Sequence, residues 1–240
     1  MSESTTARSV SIPAGENRME GDLVIPAGAQ GLVLFAHGSG SGRFSPRNRR
    51  VAAVLQDASL ATLLLDLLTE AEERLDSVTS QLRFDIPFLA NRLLAATEWA
   101  ASDAATRHLP LGYFGASTGA AAALIAAARR PERVTAVVSR GGRPDLAAHD
   151  LENVRAPTLL IVGSLDEAVV AMNQDALRRL RTEKRLEIVA GATHLFEEPG
   201  KLDVVAALAR DWFIEHFTRA TSSGSIRGQE DMPRRAAGAG

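Results

Sequence analysis

The chain has 240 residues, 45% of them hydrophobic and 23% charged, which provides the core of one substantial globular domain and leaves too little length for a second. Its formal net charge is -2, and basic residues are scattered among acidic ones, so the sequence lacks the basic surface of a nucleic-acid-binding protein. The absence of cysteine excludes disulfides, thiolate metal ligands and a cysteine nucleophile.

The first 21 residues contain no basic segment followed by an apolar stretch, and no run of about 18 apolar residues occurs anywhere. We therefore expect a cytoplasmic protein with no membrane segment and no nucleic-acid partner. Nothing in the sequence indicates its oligomeric state.

Short apolar runs alternate with helical patterns, which predicts an α/β fold with a mainly parallel sheet. Two early segments, RSVSIPA and MEGDLVIPA, are expected to pair as antiparallel strands. Six nearly continuous apolar runs, typical of strands covered on both faces, begin at Leu32, Ala61, Leu111, Val134, Pro157 and Arg185. The predicted helices cover residues 46–56, 85–101, 117–130, 169–181 and 201–217.

Two segments lie outside this alternation. Residues 67–83 are charged and lack a strand period, which predicts a loop or short helix over the surface. From Thr221 onward the chain is rich in Gly, Ser and charge, with too little apolar surface to offset the entropy of ordering. We therefore expect one domain over residues 1–220 and a flexible tail over residues 221–240.

The sequence GASTG, residues 115–119, fits the pattern GxSxG directly after an apolar strand and before an Ala-rich helix. A sharp turn between strand and helix strains the central residue, and glycines two positions away on either side prevent collisions. The helix that follows directs its N-terminus toward developing negative charge. Ser117 is therefore a candidate nucleophile. An ordinary turn in which serine caps the helix would have the same sequence pattern.

A serine nucleophile needs a histidine base and an acidic residue that orients it. Asp166 follows the strand PTLLIVG, and His194 follows the next strand, RLEIVA. Either residue alone could be a loop residue with no catalytic role. Because Ser117, Asp166 and His194 occur in the required order after successive strands, the sequence predicts a Ser-His-Asp triad.

The segment AHGSGSGR follows the strand that begins at Leu32. Glycines there let a backbone amide approach a reacting carbonyl oxygen, so we expect the amides of Ser39 and Thr118 to form an oxyanion hole. His37 is expected to shape this loop by hydrogen bonding rather than act as the base. The alternative is a flexible glycine-serine linker.

Four arginines follow predicted strands at the sheet edge where ligands bind. We expect that one or more of them select an anionic substrate, since guanidinium groups match carboxylates and phosphates. The alternative is that they pair with acids such as Glu72, Glu73 or Asp145, or face solvent. The four are Arg43, Arg47, Arg140 and Arg143.

The sequences GASTG, SLDEAV, GATHLFEEPG and AHGSGSGR together resemble the α/β-hydrolase superfamily, and within it the dienelactone hydrolase-like members. The resemblance implies a mainly parallel, eight-stranded sheet flanked by helices. No long insertion precedes Pro157, so no large cap is expected, and residues 67–83 are the expected partial cover. SGRFSPRN and SRGGRPDLA also resemble hydrolase domains joined to a phosphoribosyltransferase-like domain, although no second domain is expected in this chain.

The namesake enzymes of that family use a cysteine nucleophile, which this chain lacks, and this favours a serine esterase. The resemblance implies that Ser117 attacks, His194 is the base and Asp166 its partner, with no metal or organic cofactor. The expected partner is a small-molecule ester, which is anionic if the arginines select it. Hydrolysis of a lactone, thioester or amide, acyl transfer, and non-catalytic ligand binding remain open.

Overall fold

The protein is built on one eight-stranded sheet. The computed structural model describes the backbone of residues 5–230 and the side chains of residues 5–222. In space the strands lie in the order β1-β2-β4-β3-β5-β6-β7-β8, and β2 alone runs antiparallel to its neighbours. Their bounds are β1 Thr6–Ala14, β2 Asn17–Ile25, β3 Leu32–Ala36, β4 Ala61–Leu65, β5 Leu111–Ala116, β6 Val134–Arg140, β7 Thr158–Gly163 and β8 Lys184–Val189.

Helices cover both faces of this sheet. One core cluster joins the sheet to α1 and α6, and the other joins it to α3, α4 and α5. The bounds are α1 Pro46–Asp57, α2 Glu70–Thr79, α3 Ile86–Ser102, α4 Thr118–Arg129, α5 Glu167–Arg179 and α6 Lys201–Glu230. Between β6 and β7 the chain forms only two short 3₁₀ turns, Pro144–Ala147 and Leu151–Asn153, so there is no large cap in this connection.

The residues of β3 show why the apolar runs predicted strands correctly. All five residues of LVLFA are buried. Leu32, Leu34 and Ala36 belong to one core cluster, whereas Val33 and Phe35 belong to the other. Because successive side chains of a strand point to opposite faces, a strand buried on both faces is apolar at every position.

The helix α4 lies close to the sheet because its buried side chains are small. Ten of its residues are buried, and six of these are alanines. It begins directly after β5, so the N-terminus of α4 lies at the carboxyl edge of the sheet.

Residues 67–83, expected as a loop or short helix, contain α2. Thr69 caps this helix: its hydroxyl accepts a hydrogen bond from the Glu72 amide at 3.3 Å, and the Glu72 carboxylate accepts one from the Thr69 amide at 2.8 Å. This capping box satisfies amides that would otherwise lack partners at the helix start. It explains why a charged segment without an apolar face forms a helix.

Two ion pairs hold α2 in place. Arg92, a buried residue of α3, pairs with Glu72 in the first turn of α2. In the last turn Asp76 is buried and pairs with Arg83, and it also accepts hydrogen bonds from the amides of Leu82 and Arg83. The segment that covers the carboxyl edge of the sheet is therefore fixed at both ends.

At the C-terminus the structure differs from the predicted end of the last helix. The helix expected to end at Phe217 continues to Glu230, through the first half of the segment expected to be a tail. Residues 231–240 lie outside the described part of the chain. The division at residue 220 stays a prediction.

Among residues 5–230, no helix is long and apolar enough to cross a membrane. The cytoplasmic location expected from the sequence stays a prediction.

The environment of Asp76 makes stability depend on pH. Burial alone would raise the pKa of this carboxyl, but the hydrogen bonds from Arg83 and Leu82 outweigh it and hold the pKa below its usual value of 3.8. Because the folded-state pKa is depressed, the stabilisation is complete above the unfolded pKa and is lost as the pH falls through the folded pKa.

We expect Asp76→Asn to lower the free energy of unfolding at pH 7 by about 1–3 kcal/mol, because Arg83 loses its charged acceptor. Urea unfolding at several pH values measures this, and the difference from wild type should shrink below about pH 4. The control is Asp175→Asn, since Asp175 forms an exposed pair with Arg178. An equal loss in both variants, or a loss independent of pH, would contradict the assignment.

Candidate active site

Ser117 lies in a sharp turn between β5 and α4. Its backbone has φ +53° and ψ -119°, a conformation that L residues with side chains rarely adopt. A Cβ on Gly115 would lie 2.4 Å from the Ala120 Cα, and a Cβ on Gly119 would lie 2.2 Å from the Ala36 carbonyl oxygen. The two glycines are therefore required by close backbone approach, as the GxSxG pattern predicted.

The structure brings together the three side chains predicted to form a triad. The His194 Nε2 atom lies 3.3 Å from the Ser117 hydroxyl oxygen, and the His194 Nδ1 atom lies 2.6 Å from Asp166 Oδ2. Asp166 follows β7 at the start of α5, and His194 lies in the loop after β8. The His194 side chain is 37% exposed, so the site is accessible from solvent.

The loop that carries His194 is held from several directions. Phe196 has φ +57° and is buried in the core beside α6. Glu198 accepts hydrogen bonds from the Thr193 amide at 3.1 and 3.2 Å, and these bonds lower the pKa of its carboxyl. Gly141, with φ +52°, lies against the loop, and a Cβ there would lie 3.1 Å from the His194 carbonyl oxygen. These contacts fix the position of the imidazole ring.

The loop after β3 lies directly beside the serine. A Cβ on Gly38 would lie 3.1 Å from the Ser117 Cβ. The Ser39 amide donates a hydrogen bond to the Thr118 hydroxyl at 3.0 Å, whereas the Thr118 amide has no acceptor among the described residues. Of the two predicted oxyanion donors, the Thr118 amide is therefore free and the Ser39 amide has an internal partner.

His37 links the same loop to the start of residues 67–83. Its Nε2 accepts a hydrogen bond from the Leu67 amide at 2.9 Å, so Nδ1 carries the proton and donates to the Gly38 carbonyl at 2.9 Å. Burial lowers the pKa of this imidazole, which favours the neutral form. Both ring nitrogens are occupied by backbone groups, as expected for a residue that shapes the loop.

The four arginines predicted to bind an anion have different environments. Arg43 pairs with Asp66 and lies 3.7 Å from Asp22. Arg143 donates two hydrogen bonds to Asp145, at 2.9 and 2.7 Å. This is the alternative given above, in which an arginine pairs with a neighbouring acid.

Arg47 and Arg140 differ from these two. Arg47 pairs with Glu197 at 3.0 Å. Arg140 is only 7% exposed and forms no ion pair or side-chain hydrogen bond in the described part of the chain. Burial, together with the charge of Arg47, lowers the pKa of Arg140 to about 10.

A small cavity of about 20 Å³ lies between the loop after β3 and α2, so residues 67–83 lie over the loop that carries Ser39. The sequence did not indicate that Arg83 and Leu89 line it, because nothing in their local pattern marks them. The side chains of residues 5–222 contain no group of three or more His, Asp or Glu placed to hold a metal ion. The cavity is lined by residues 37–41, Asp66, Leu68, Glu73, Asp76, Arg83 and Leu89.

Known proteins match both the sequence and the structure. The model of the dienelactone hydrolase family matches residues 70–219. A solved dienelactone hydrolase from Anabaena variabilis is 61% identical, with a TM-score of 0.88, over 89% of this chain and 99% of that chain. Est1E from Butyrivibrio proteoclasticus is 15% identical with a TM-score of 0.74, over 88% of this chain and 99% of that chain, a likeness of fold alone.

Two curated Mycobacterium tuberculosis proteins, from two strains, are each 54% identical to this chain over 215 residues and carry the provisional name phosphoribosyl transferase. The match covers 90% of this chain and 48% of each of them. The chain therefore spans about half the length of the curated relatives it matches.

The turn around Ser117 leads to a prediction about its glycines. Gly119→Ala should lower the free energy of unfolding by about 3 kcal/mol or more, because its Cβ would collide with the carbonyl oxygens of Ala36 and His37. Urea denaturation monitored by circular dichroism measures the loss. Gly15→Ala is the control, since Gly15 has φ +70° but open space around it, and should cost about 1–2 kcal/mol. A smaller loss at Gly119 than at Gly15 would contradict this account.

Proposed function

The chain belongs to the dienelactone hydrolase family and is a hydrolase with the α/β-hydrolase fold, and from this premise we propose that it cleaves carboxylic esters with a serine nucleophile. The observation that carries the proposal is the hydrogen-bonded series of Ser117, His194 and Asp166 at a strained turn. A serine, a base in contact with it and an acid in contact with the base are the arrangement that activates a hydroxyl for acyl transfer.

In the proposed reaction the Ser117 hydroxyl oxygen attacks the ester carbonyl carbon while His194 Nε2 takes the hydroxyl proton. The Asp166 carboxylate holds the Nδ1 proton and stabilises the imidazolium. Collapse of the tetrahedral intermediate breaks the bond to the alcohol, which leaves with the proton from Nε2. Water then attacks the acyl-enzyme by the same route and releases the carboxylic acid.

The developing oxyanion needs donors beside Ser117. We assign this role to the Thr118 amide, which is free, and to the Ser39 amide, which exchanges the Thr118 hydroxyl for the substrate oxygen. The Thr118 amide also belongs to the first turn of α4, whose N-terminus favours negative charge.

Two names among the relatives bear on the substrate. A lactone is a cyclic ester and would react by the same steps, so lactones belong in the first substrate panel, as the name of the Anabaena protein suggests. The name phosphoribosyl transferase belongs to proteins about twice as long as this match. Phosphoribosyl transfer is not proposed for this chain, since the matched family is a hydrolase family.

The nucleophile is tested with p-nitrophenyl esters of increasing chain length and a lactone. Ser117→Ala should abolish turnover, and a fluorophosphonate probe should label wild type but not this variant, since it reacts with an activated serine. Ser102→Ala is the matched control, because Ser102 lies at the C-terminal end of α3. Turnover or labelling that survives in Ser117→Ala would overturn the nucleophile, and inactivity of wild type on every ester would overturn the esterase proposal.

The acid is tested separately with Asp166→Asn. This change keeps the size of the side chain but removes the charge that holds the His194 tautomer, so kcat should fall by about 10⁴-fold. Steady-state kinetics on the best ester measures the change, and the circular dichroism spectrum should match wild type. A loss of less than tenfold would remove Asp166 from the mechanism.

A further inference from the structure

Arg140 lies next to the nucleophile at the carboxyl edge of the sheet. Its carbonyl oxygen accepts a hydrogen bond from the Ser117 amide at 3.1 Å. Along β6, Ala136 and Val138 belong to the core cluster that contains α1 and α6. Because side chains alternate along a strand, the Arg140 side chain points to that same face. Its charge interacts with that of Arg47 in the first turn of α1, so the two guanidinium groups lie near each other.

Among the side chains of residues 5–222, none compensates the charge on Arg140. Its Nε and Nη1 atoms are buried without a hydrogen-bond partner there. Like-charge repulsion from Arg47 lowers the pKa of Arg140 further than burial alone. An isolated buried cation costs several kcal/mol unless an anion or strong hydrogen bonds offset it. An anionic ligand would therefore stabilise the buried guanidinium group of Arg140.

The first turn of α1 contributes further polar groups without partners. Ser45 caps the helix, and the Arg47 Nε atom is buried with no acceptor although its Nη1 atom pairs with Glu197. Asn48 is 2% exposed on the sheet-facing side of α1. Its Oδ1 atom, an acceptor, has no partner, and its Nδ2 group is the part of the side chain that can donate to an anion. The positive end of α1 thus lies beside two guanidinium groups and a side-chain amide.

We propose that Arg140, Arg47 and the first turn of α1 form a subsite for a phosphate group on the substrate. The inference rests on the proposed ester hydrolysis at Ser117, beside which this subsite lies. With Glu197 counted, the two guanidinium groups and the helix terminus leave about +1.5 charges uncompensated. A phosphate monoester carries about -1.5 to -2 charges at pH 7 and so balances the site, whereas a carboxylate leaves part of the charge.

The other two arginines provide controls. Arg43 and Arg143 already have carboxylate partners, Asp66 and Asp145. Arg143 is three residues from Arg140 in the chain and differs from it in being paired and partly exposed. A phosphate subsite made of Arg140 and Arg47 is therefore expected to be insensitive to Arg143.

The direct test is titration calorimetry of Ser117→Ala with inorganic phosphate, and with acetate, at pH 7.5. Phosphate should bind, and adding Arg140→Gln should weaken binding at least tenfold, whereas adding Arg143→Gln should leave it unchanged. Arg47→Gln, at the partly exposed end of the site, is a second variant if Arg140→Gln does not fold. No phosphate binding, equal loss with Arg143→Gln, or acetate binding as tight as phosphate would overturn the proposal.

A kinetic test separates this inference from the function on which it rests. Two p-nitrophenyl esters of equal acyl length, one with a terminal phosphate, are compared in wild type and Arg140→Gln. We expect kcat/KM to favour the phosphorylated ester in wild type by at least tenfold, and this ratio to fall toward one in the variant. Hydrolysis of both esters at equal rates by wild type would overturn the subsite and leave the esterase intact. If neither ester reacted, the esterase proposal would fail, and calorimetry alone would decide the subsite.

Discussion

The close packing of β5, α4 and the end of β3 around Ser117 is the constraint on which the site depends. Gly115 and Gly119 let backbone approach backbone where a Cβ would overlap neighbouring atoms. This contact forces Ser117 to φ +53° and places the loop after β3 against it. The same turn fixes the neighbouring loop, since the Ser117 carbonyl oxygen accepts hydrogen bonds from the amides of Ala120 and Arg143. Ser117 and the loops around it are therefore positioned by main-chain geometry.

The charge around the site is unequally distributed. On the side of α2, the cavity is lined by Asp66, Glu73 and Asp76, of which Asp66 and Asp76 have arginine partners. On the side of α1 and α6, Arg140 is buried with no acidic partner among the side chains that the structure describes. A neutral ligand would experience this difference weakly, whereas a ligand with one charged end would bind in a single orientation.

The sequence predicted the parts of this structure that follow from local rules. Strands buried on both faces are apolar throughout, and the chain order of Ser117, Asp166 and His194 follows from the topology. Contacts between distant segments could not be predicted. The pairing of Arg43 with Asp66, the isolation of Arg140 and the occupied Ser39 amide all depend on which loops meet. For α2 the sequence contains a capping signal, Thr69 followed by Glu72, which favours the helix over the loop where the charge pattern alone left both open.

The alanines of α4 have a consequence for the cost of folding. Alanine has no side-chain rotamers to lose, so ordering the helix behind Ser117 costs mainly backbone entropy. A helix of leucines in the same place would lose about 0.5–1 kcal/mol more for each residue and would stand farther from the sheet. The helix behind the strained serine therefore loses little side-chain entropy on folding. This saving offsets part of the free energy that the strained turn costs.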